Sequence, residues 1–348
     1  METPNGKTIL IDGGRKSAGS KLISFLQEKG IQSIDLLVAT HPDADHIGGL
    51  IDVLEQVEVK KVLDSGKPHT TQTYMEYLAL IDQKNIPFEV AKKGSFITLD
   101  SDIKIQVLNS LNSSEDLNDS SVVLKLTYGV VDFLLTGDAG IENEADMVAN
   151  YNLEAEILKV GHHGSDTSTS QPFVNEVDPE TAILSYGENN YGHPNAGVVK
   201  RLRNIGAEIY STFESGDIVV TTDGTNYDVS ALPSEEGEDS TTPLPDLKDG
   251  VFISVGDFEM EYVTILNNTN ENADLSNWYL ISEEGNQCYD FPEGTIIESG
   301  YYLDVLSGPD AYDSPPYKQM WTKSYIWNNS GDAALLYNSK GELVSEFR

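Results

Sequence analysis

In Val38-Ala39-Thr40-His41-Pro42-Asp43-Ala44-Asp45-His46-Ile47-Gly48-Gly49, an apolar strand runs directly into four ligand-type side chains and two glycines. Two imidazoles and two carboxylates at the end of one strand read as a shared metal site, the bland alternative being an acidic surface loop of the kind common in a chain this acidic. His41 and Asp43, two apart in extended backbone, face the same way. The pattern predicts a turn into a helix at Ile47, carrying Asp45 and His46, with Gly48 and Gly49 allowing close packing. Imidazole nitrogen and carboxylate oxygen are ligands that Zn2+ accepts, and a carboxylate-rich mixture tilts the preference toward Mn2+. One loop of this composition can serve two metals.

The chain has six histidines, and five fall in three clusters: His41 with His46, His162 with His163, and His193. Only His69 stands outside. Phe133-Leu134-Leu135-Thr136-Gly137-Asp138 brings one carboxylate to the end of an apolar strand, where Asp138 is either a bridging metal ligand or the N-cap of a helix starting at Ile141. Ile157-Leu158-Lys159-Val160-Gly161-His162-His163-Gly164-Ser165 repeats the same grammar. His193 follows the apolar run 182–184 and reads equally well as a surface-loop histidine. Clusters that all follow strand ends imply one active sheet edge.

Between Thr8 and about Gly224, strand-sized apolar runs alternate with amphipathic helical patterns, interrupted at 95–138 by consecutive strands. An α/β fold with two β-rich layers covered by helices, an αββα sandwich, accommodates this order. Residues 233–247 are acidic, proline-bearing and without apolar periodicity, which predicts a linker. The expected organisation is a domain at 1–232, that linker, and a β-sandwich at 248–348, where short strand-like runs alternate with Asn/Gly/Pro turns.

Twenty-two Lys and Arg against 57 Asp and Glu give a formal charge of −35, which repels polyanions such as DNA unless bound cations or a local basic patch intervene. Lys159, Lys200, Arg201 and Arg203 form a candidate basic set. No apolar run approaches the roughly 20 residues of a membrane helix. Cys288, the single cysteine, excludes an internal disulfide. The first residues lack a signal-peptide pattern, so either the protein stays inside or its leader has been removed.

With these motifs in order, residues 6–225 resemble the metallo-β-lactamase superfamily, and within it the soluble domain of ComEC-type DNA-internalisation competence proteins. Besides the segments above, the resemblance rests on Thr8-Ile-Leu-Ile-Asp12-Gly13-Gly14, Asn118-Asp-Ser-Ser121 and Tyr191-Gly-His193-Pro194. It implies an αββα fold and a pair of divalent ions, Zn2+ or Mn2+, bound by His41, Asp43, Asp45, His46 and His162 and bridged by Asp138. Asp45 would also orient the attacking hydroxide, while His163 and His193 would contact phosphate or protonate the leaving group. The implied substrate is a nucleic acid, single-stranded DNA in the first instance. Asp43 replaces the superfamily's second histidine, and no histidine stands near 117–119, where a further ligand often lies, which predicts one weakly held metal. The strand pair that such domains carry before Pro4 is absent, so the chain is expected to be truncated or to miss its true start.

Residues 248–348 resemble a lamin-tail domain, an immunoglobulin-like sandwich, through Trp278-Tyr-Leu280, Pro292-Glu-Gly-Thr295 and Ile326-Trp327-Asn328-Asn-Ser-Gly331-Asp332. That family implies a recognition or anchoring module of unknown ligand, with Trp278, Trp327 and Tyr337 as core aromatics. The two-part architecture resembles secreted bacterial proteins, making an extracellular or cell-surface location the expectation and a cytoplasmic one the alternative. Two rival readings stand beside the nuclease: hydrolysis of a small ester, thioester or lactam, and a non-catalytic binding protein with a structural metal site.

Overall fold

The computed structural model describes residues 1–111, 114, 116–189, 192–231, 250–258, 261–269, 271–309, 311–313, 315–316, 318–328 and 332–348. The expected linker at 233–247 lies outside them, as do Tyr191 and residues 329–331 of the Trp327–Asp332 run. The chain divides into two compact units, Met1–Thr169 with Phe173–Glu236 and Ser170–Pro172 with Gly237–Arg348.

In the first unit, β1 (Ile9–Ile11), β2 (Leu36–Ala39), β3 (Val62–Asp64) and β4 (Phe88–Val90) form a parallel sheet in chain order. The second sheet holds β5 (Phe96–Ile97), β6 (Ile103–Asn109), β7 (Val123–Tyr128), β8 (Val131–Leu135), β9 (Ile157–Lys159), β10 (Thr181–Leu184) and β11 (Glu208–Ser211), each beside the next. Its pairs are antiparallel from β5 to β8 and parallel from β8 to β11.

Strand alternation decides which layer each side chain joins. Leu36 and Val38 of β2 pack with Ile105 and Val107 of β6 and with Leu124 and Leu126 of β7, between the sheets. Leu37 and Ala39 point the other way, onto a cluster with Ile23 and Leu26 of α1 (Gly19–Glu28) and Leu50, Val53 and Leu54 from the following helical segment. Tyr74, Tyr77 and Ile81 of α4 (Gln72–Gln83) lie at helical spacing in the same cluster. On the far side, Met147 of α5 (Ile141–Asn150), Phe173 and Val174 of α6 (Gln171–Val177) and Val198 and Leu202 of α7 (Ala196–Asn204) cover the second sheet. Three apolar layers between helix, sheet, sheet and helix make the αββα sandwich.

The helix expected from Ile47 begins earlier and is broken: α2 (Ala44–Ile47) is followed by α3 (Leu50–Gln56). The residue before α2, Asp43, keeps extended backbone, so the helical turn takes Asp45 and His46 with it. Arg201 departs from its reading as one of a phosphate-facing basic set. It is buried, and its Nε donates to the Thr169 carbonyl at 2.8 Å.

The second unit is an all-β sandwich. One sheet runs β14–β15–β18–β19 (Val251–Asp257, Tyr262–Asn267, Tyr302–Leu306, Lys318–Met320), and the other β17–β16–β20–β21 (Gln287–Asp290, Tyr279–Ser282, Ala334–Tyr337, Leu343–Phe347). A hairpin, β12 (Val219–Thr222) and β13 (Tyr227–Ser230), closes the first unit in chain order. Trp327 is buried and stacks on Phe258 with ring centroids 4.9 Å apart, whereas Trp278 and Tyr337 are only half-buried. Among the described residues, no helix is long and apolar enough to cross a membrane.

Candidate metal centre

The strand registers bring the clusters together. Ala39 of β2 pairs with Asp64 of β3, and Leu135, Lys159 and Ile183 lie in one row across β8, β9 and β10. The segments leaving these strands at Thr40, Thr136, Val160 and Ser185 therefore emerge at one edge.

His46 Nε2 lies 3.2 Å from Asp138 Oδ2 and 3.3 Å from His163 Nε2. His163 Nε2 is 3.4 Å from the same Asp138 oxygen, while His162 Nε2 is 3.9 Å away. The His41 and His46 ring centroids are 4.0 Å apart, and His41 Nε2 sits 3.5 Å from Asp43 Oδ2. His41, His46 and Asp138 offer one set of ligand atoms within 4.8 Å of one another, and Asp45, His46 and His163 offer a second. His193 stands beside them, its ring centroid 5.6 Å from that of His162.

What fixes the rings lies outside these sets. Asp12 Oδ2 is 2.8 Å from His46 Nδ1, and a carboxylate accepts, so Nδ1 carries the proton and the Nε2 lone pair faces Asp138. The Ser185 carbonyl fixes His163 likewise, 2.6 Å from its Nδ1. The Thr40 hydroxyl donates to Asp12 Oδ2 at 2.8 Å and lies 3.0 Å from His41 Nδ1, from which it can then only accept. Three imidazoles thus turn Nε2 inward. Ser121 Oγ accepts from the Asp138 amide at 3.0 Å and holds the carboxylate's backbone in place.

A divalent ion is the partner these atoms fit. His41 Nε2 and Asp138 Oδ1 are buried without a hydrogen-bond partner, a cost of roughly 1–3 kcal/mol each that coordination removes. Burial works against a charge on His46, yet Asp12 and Asp138 overrule it and raise its pKa well above the ordinary value. The field that favours a proton on His46 favours a metal cation in its place. Asp138, buried but facing His163 and His46, is held well below the usual carboxylate range. His162 and His163 both adopt left-handed backbone, φ 43° and 54°, a strain of about 1–3 kcal/mol per residue that concentrates at functional sites.

All eight side chains singled out as ligands or catalytic groups lie at this edge, but not equally deep. His41, His46 and Asp138 are buried, Asp43, His162, His163 and His193 half-buried, and Asp45 exposed. Asp138 is not the cap of α5, whose N-cap residue is Gly140. Asp12 was quoted above only as part of a motif, and its place against His46 follows from the register of β1 on β2. The readable signal was its position, a carboxylate after an apolar strand and before two glycines.

The sequence model of the metallo-beta-lactamase superfamily matches residues 2–188, and that of the Lamin Tail Domain matches residues 234–348. Among curated proteins, the chain is similar to ComE operon protein 3 of Bacillus subtilis, 34% identical over 58% of this chain and 26% of that protein. It is also similar to competence protein ComA of Neisseria gonorrhoeae, 29% identical over 62% of this chain and 29% of that protein. A metal-dependent hydrolase of Thermodesulfovibrio yellowstonii is 27% identical over 33% of this chain and 42% of its own length. The chain spans little more than a quarter of the two competence-related relatives.

Proposed function

From the premise that the chain belongs to the metallo-beta-lactamase superfamily and is a metal-dependent hydrolase, we propose that it cleaves phosphodiester bonds in DNA, preferably single-stranded. Two divalent ions, Zn2+ or Mn2+, would be held by His41, Asp43, Asp45, His46, Asp138 and, on its distances, His163, leaving His162 and His193 to line the substrate side. The observation that carries this reading is the convergence of three Nδ1-tethered imidazoles on the buried Asp138. The names of the competence-related relatives supply the DNA context.

When bound, the ions lower the pKa of a shared water, offset charge on a phosphoryl oxygen and stabilise the leaving alkoxide. The chain's own residues do the rest. Asp45, exposed at the rim, orients the attacking water by accepting its proton bond. Asp12 and Thr40 hold the His46 and His41 rings so that no ligand must reorient during turnover. His193, half-buried beside His162, donates a hydrogen bond to the leaving oxygen.

One observation favours a second reading, hydrolysis of a small ester, thioester or lactam: a charge of −35 does not hinder an uncharged substrate. The two separate in one assay, in which wild type, Asp45→Ala and Asp138→Ala act on single-stranded DNA, bis-p-nitrophenyl phosphate and a lactam with added Mn2+ or Zn2+. Wild type is expected to cleave both phosphodiesters at least about 100-fold faster than either variant, as removal of a metal-centre residue typically does. Phosphodiester cleavage no faster than in the variants, with the lactam hydrolysed, would replace the nuclease by the second reading.

A further inference from the structure

His69 is the one histidine with no role in the centre described above. Topology nevertheless carries it there. β3 ends at Asp64 beside Ala39 of β2, so the 65–71 loop leaves the first sheet next to the loop that bears His41 and Asp43. Its base is pinned, because Asp64 Oδ1 accepts from the Gly66 amide at 2.7 Å and Asp64 Oδ2 from the Tyr77 hydroxyl at 3.0 Å. Lys67 Nζ ties the middle of the loop to the Ser114 carbonyl. The far end is pinned by α4, whose N-cap Thr71 accepts from the Tyr74 amide.

On this frame the His69 ring is half-buried, with Nδ1 3.1 Å from Thr71 Oγ1 and its centroid 6.4 Å from that of Tyr74. The Thr71 hydroxyl accepts from the Tyr74 amide and keeps its own proton to give to His69 Nδ1, the arrangement in which the ring proton stands on Nε2. Among the described residues, Nε2 has no hydrogen-bond partner. Asp43 lies within electrostatic reach of the ring, behind the larger effects of His41 and of His46. A histidine serving only to brace α4 would gain nothing from an open donor beside the cage.

We propose that His69 is a substrate-contact residue on the first-sheet side of the centre, donating from Nε2 to a non-bridging oxygen of a bound phosphate group. The phosphate chemistry rests on the phosphodiesterase reading, and the test separates the two.

Inorganic phosphate is titrated calorimetrically into the metal-loaded full chain, as wild type, His69→Ala and His69→Gln, with metal content measured on each. His69→Ala should weaken phosphate binding about tenfold, the scale of one charge-assisted hydrogen bond. His69→Gln, which keeps a donor, should recover most of that, with metal content unchanged in both. In wild type, phosphate should shift the His69 imidazole 15N resonances, which keeps the test decisive where the alanine variant fails to fold. Phosphate affinity within twofold of wild type in His69→Ala, or no phosphate binding by wild type, overturns the inference. Phosphate binding that depends on His69 without cleavage of bis-p-nitrophenyl phosphate sinks the phosphodiesterase alone. Cleavage with phosphate affinity indifferent to His69 sinks this inference alone.

Discussion

At the centre, each imidazole points where its second nitrogen is tied. Asp12, Thr40 and Ser185 meet Nδ1 of His46, His41 and His163, and the Nε2 atoms of His46 and His163 face Asp138. The candidate ligand types were legible in sequence because their chemistry and spacing are local. The tethers were not, because Asp12 reaches Thr40 and His46 only through the pairing of β1 with β2. The placing of His162 and His163 was equally hidden: two successive left-handed residues set where the two rings lie, and no local sequence signal announces them. His193 sharpens the point. Burial, then the neighbouring His162 and His163, push its pKa down to about 4, and bound cations would lower it further. Its folded value lies below the roughly 6.5 of an unfolded chain, so the unfolded state takes up the proton first. His193 therefore costs stability as pH falls from about 6.5 toward 4 and nothing above that window. At neutral pH the ring is neutral, so the hydrogen bond proposed for it would come from a neutral N–H and not from an imidazolium. An NMR titration should show no His193 inflection between about pH 5 and 8. An inflection near 6.5 would return it to the role of general acid.

At the scale of elements, the break between α2 and α3 is what lets the His41–Gly49 loop lie against the Gly13–Lys16 segment that follows β1. A Cβ on Gly49 would stand 2.1 Å from the Gly13 carbonyl oxygen, and one on Gly48 would stand 2.4 Å from the Lys16 amide nitrogen. Both obstacles are backbone and cannot swing aside. The glycines were read correctly as close-packing residues, but the helix start was misplaced because Asp43 as N-cap gives no stronger local signal than Asp45. Gly49→Ala should destabilise the fold by on the order of 2–3 kcal/mol, read as a lower urea midpoint at unchanged slope. A shift worth less than about 0.5 kcal/mol would mean that the loop and β1 can separate without cost.

For the molecule as a whole, hydrophobic alternation was enough to read two sheets between helical layers, since each strand needed only its own period to announce its face. What the period leaves out is register, and register is what gathers residues from β1, β2, β8, β9 and β10 at one edge. Composition pulled the other way: a charge of −35 describes a surface that repels DNA, and only the cations implied by the cage reverse it locally. The proposed activity therefore depends on bound metal. The most direct measurement is metal content by mass spectrometry after exhaustive dialysis, for wild type beside Asp138→Ala. One or two Zn2+ or Mn2+ per wild-type chain, the weaker one lost first, and fewer in the variant are predicted for a carboxylate that would bridge the pair. A wild-type chain that retains none, or an Asp138→Ala chain that retains as much as wild type, would contradict it.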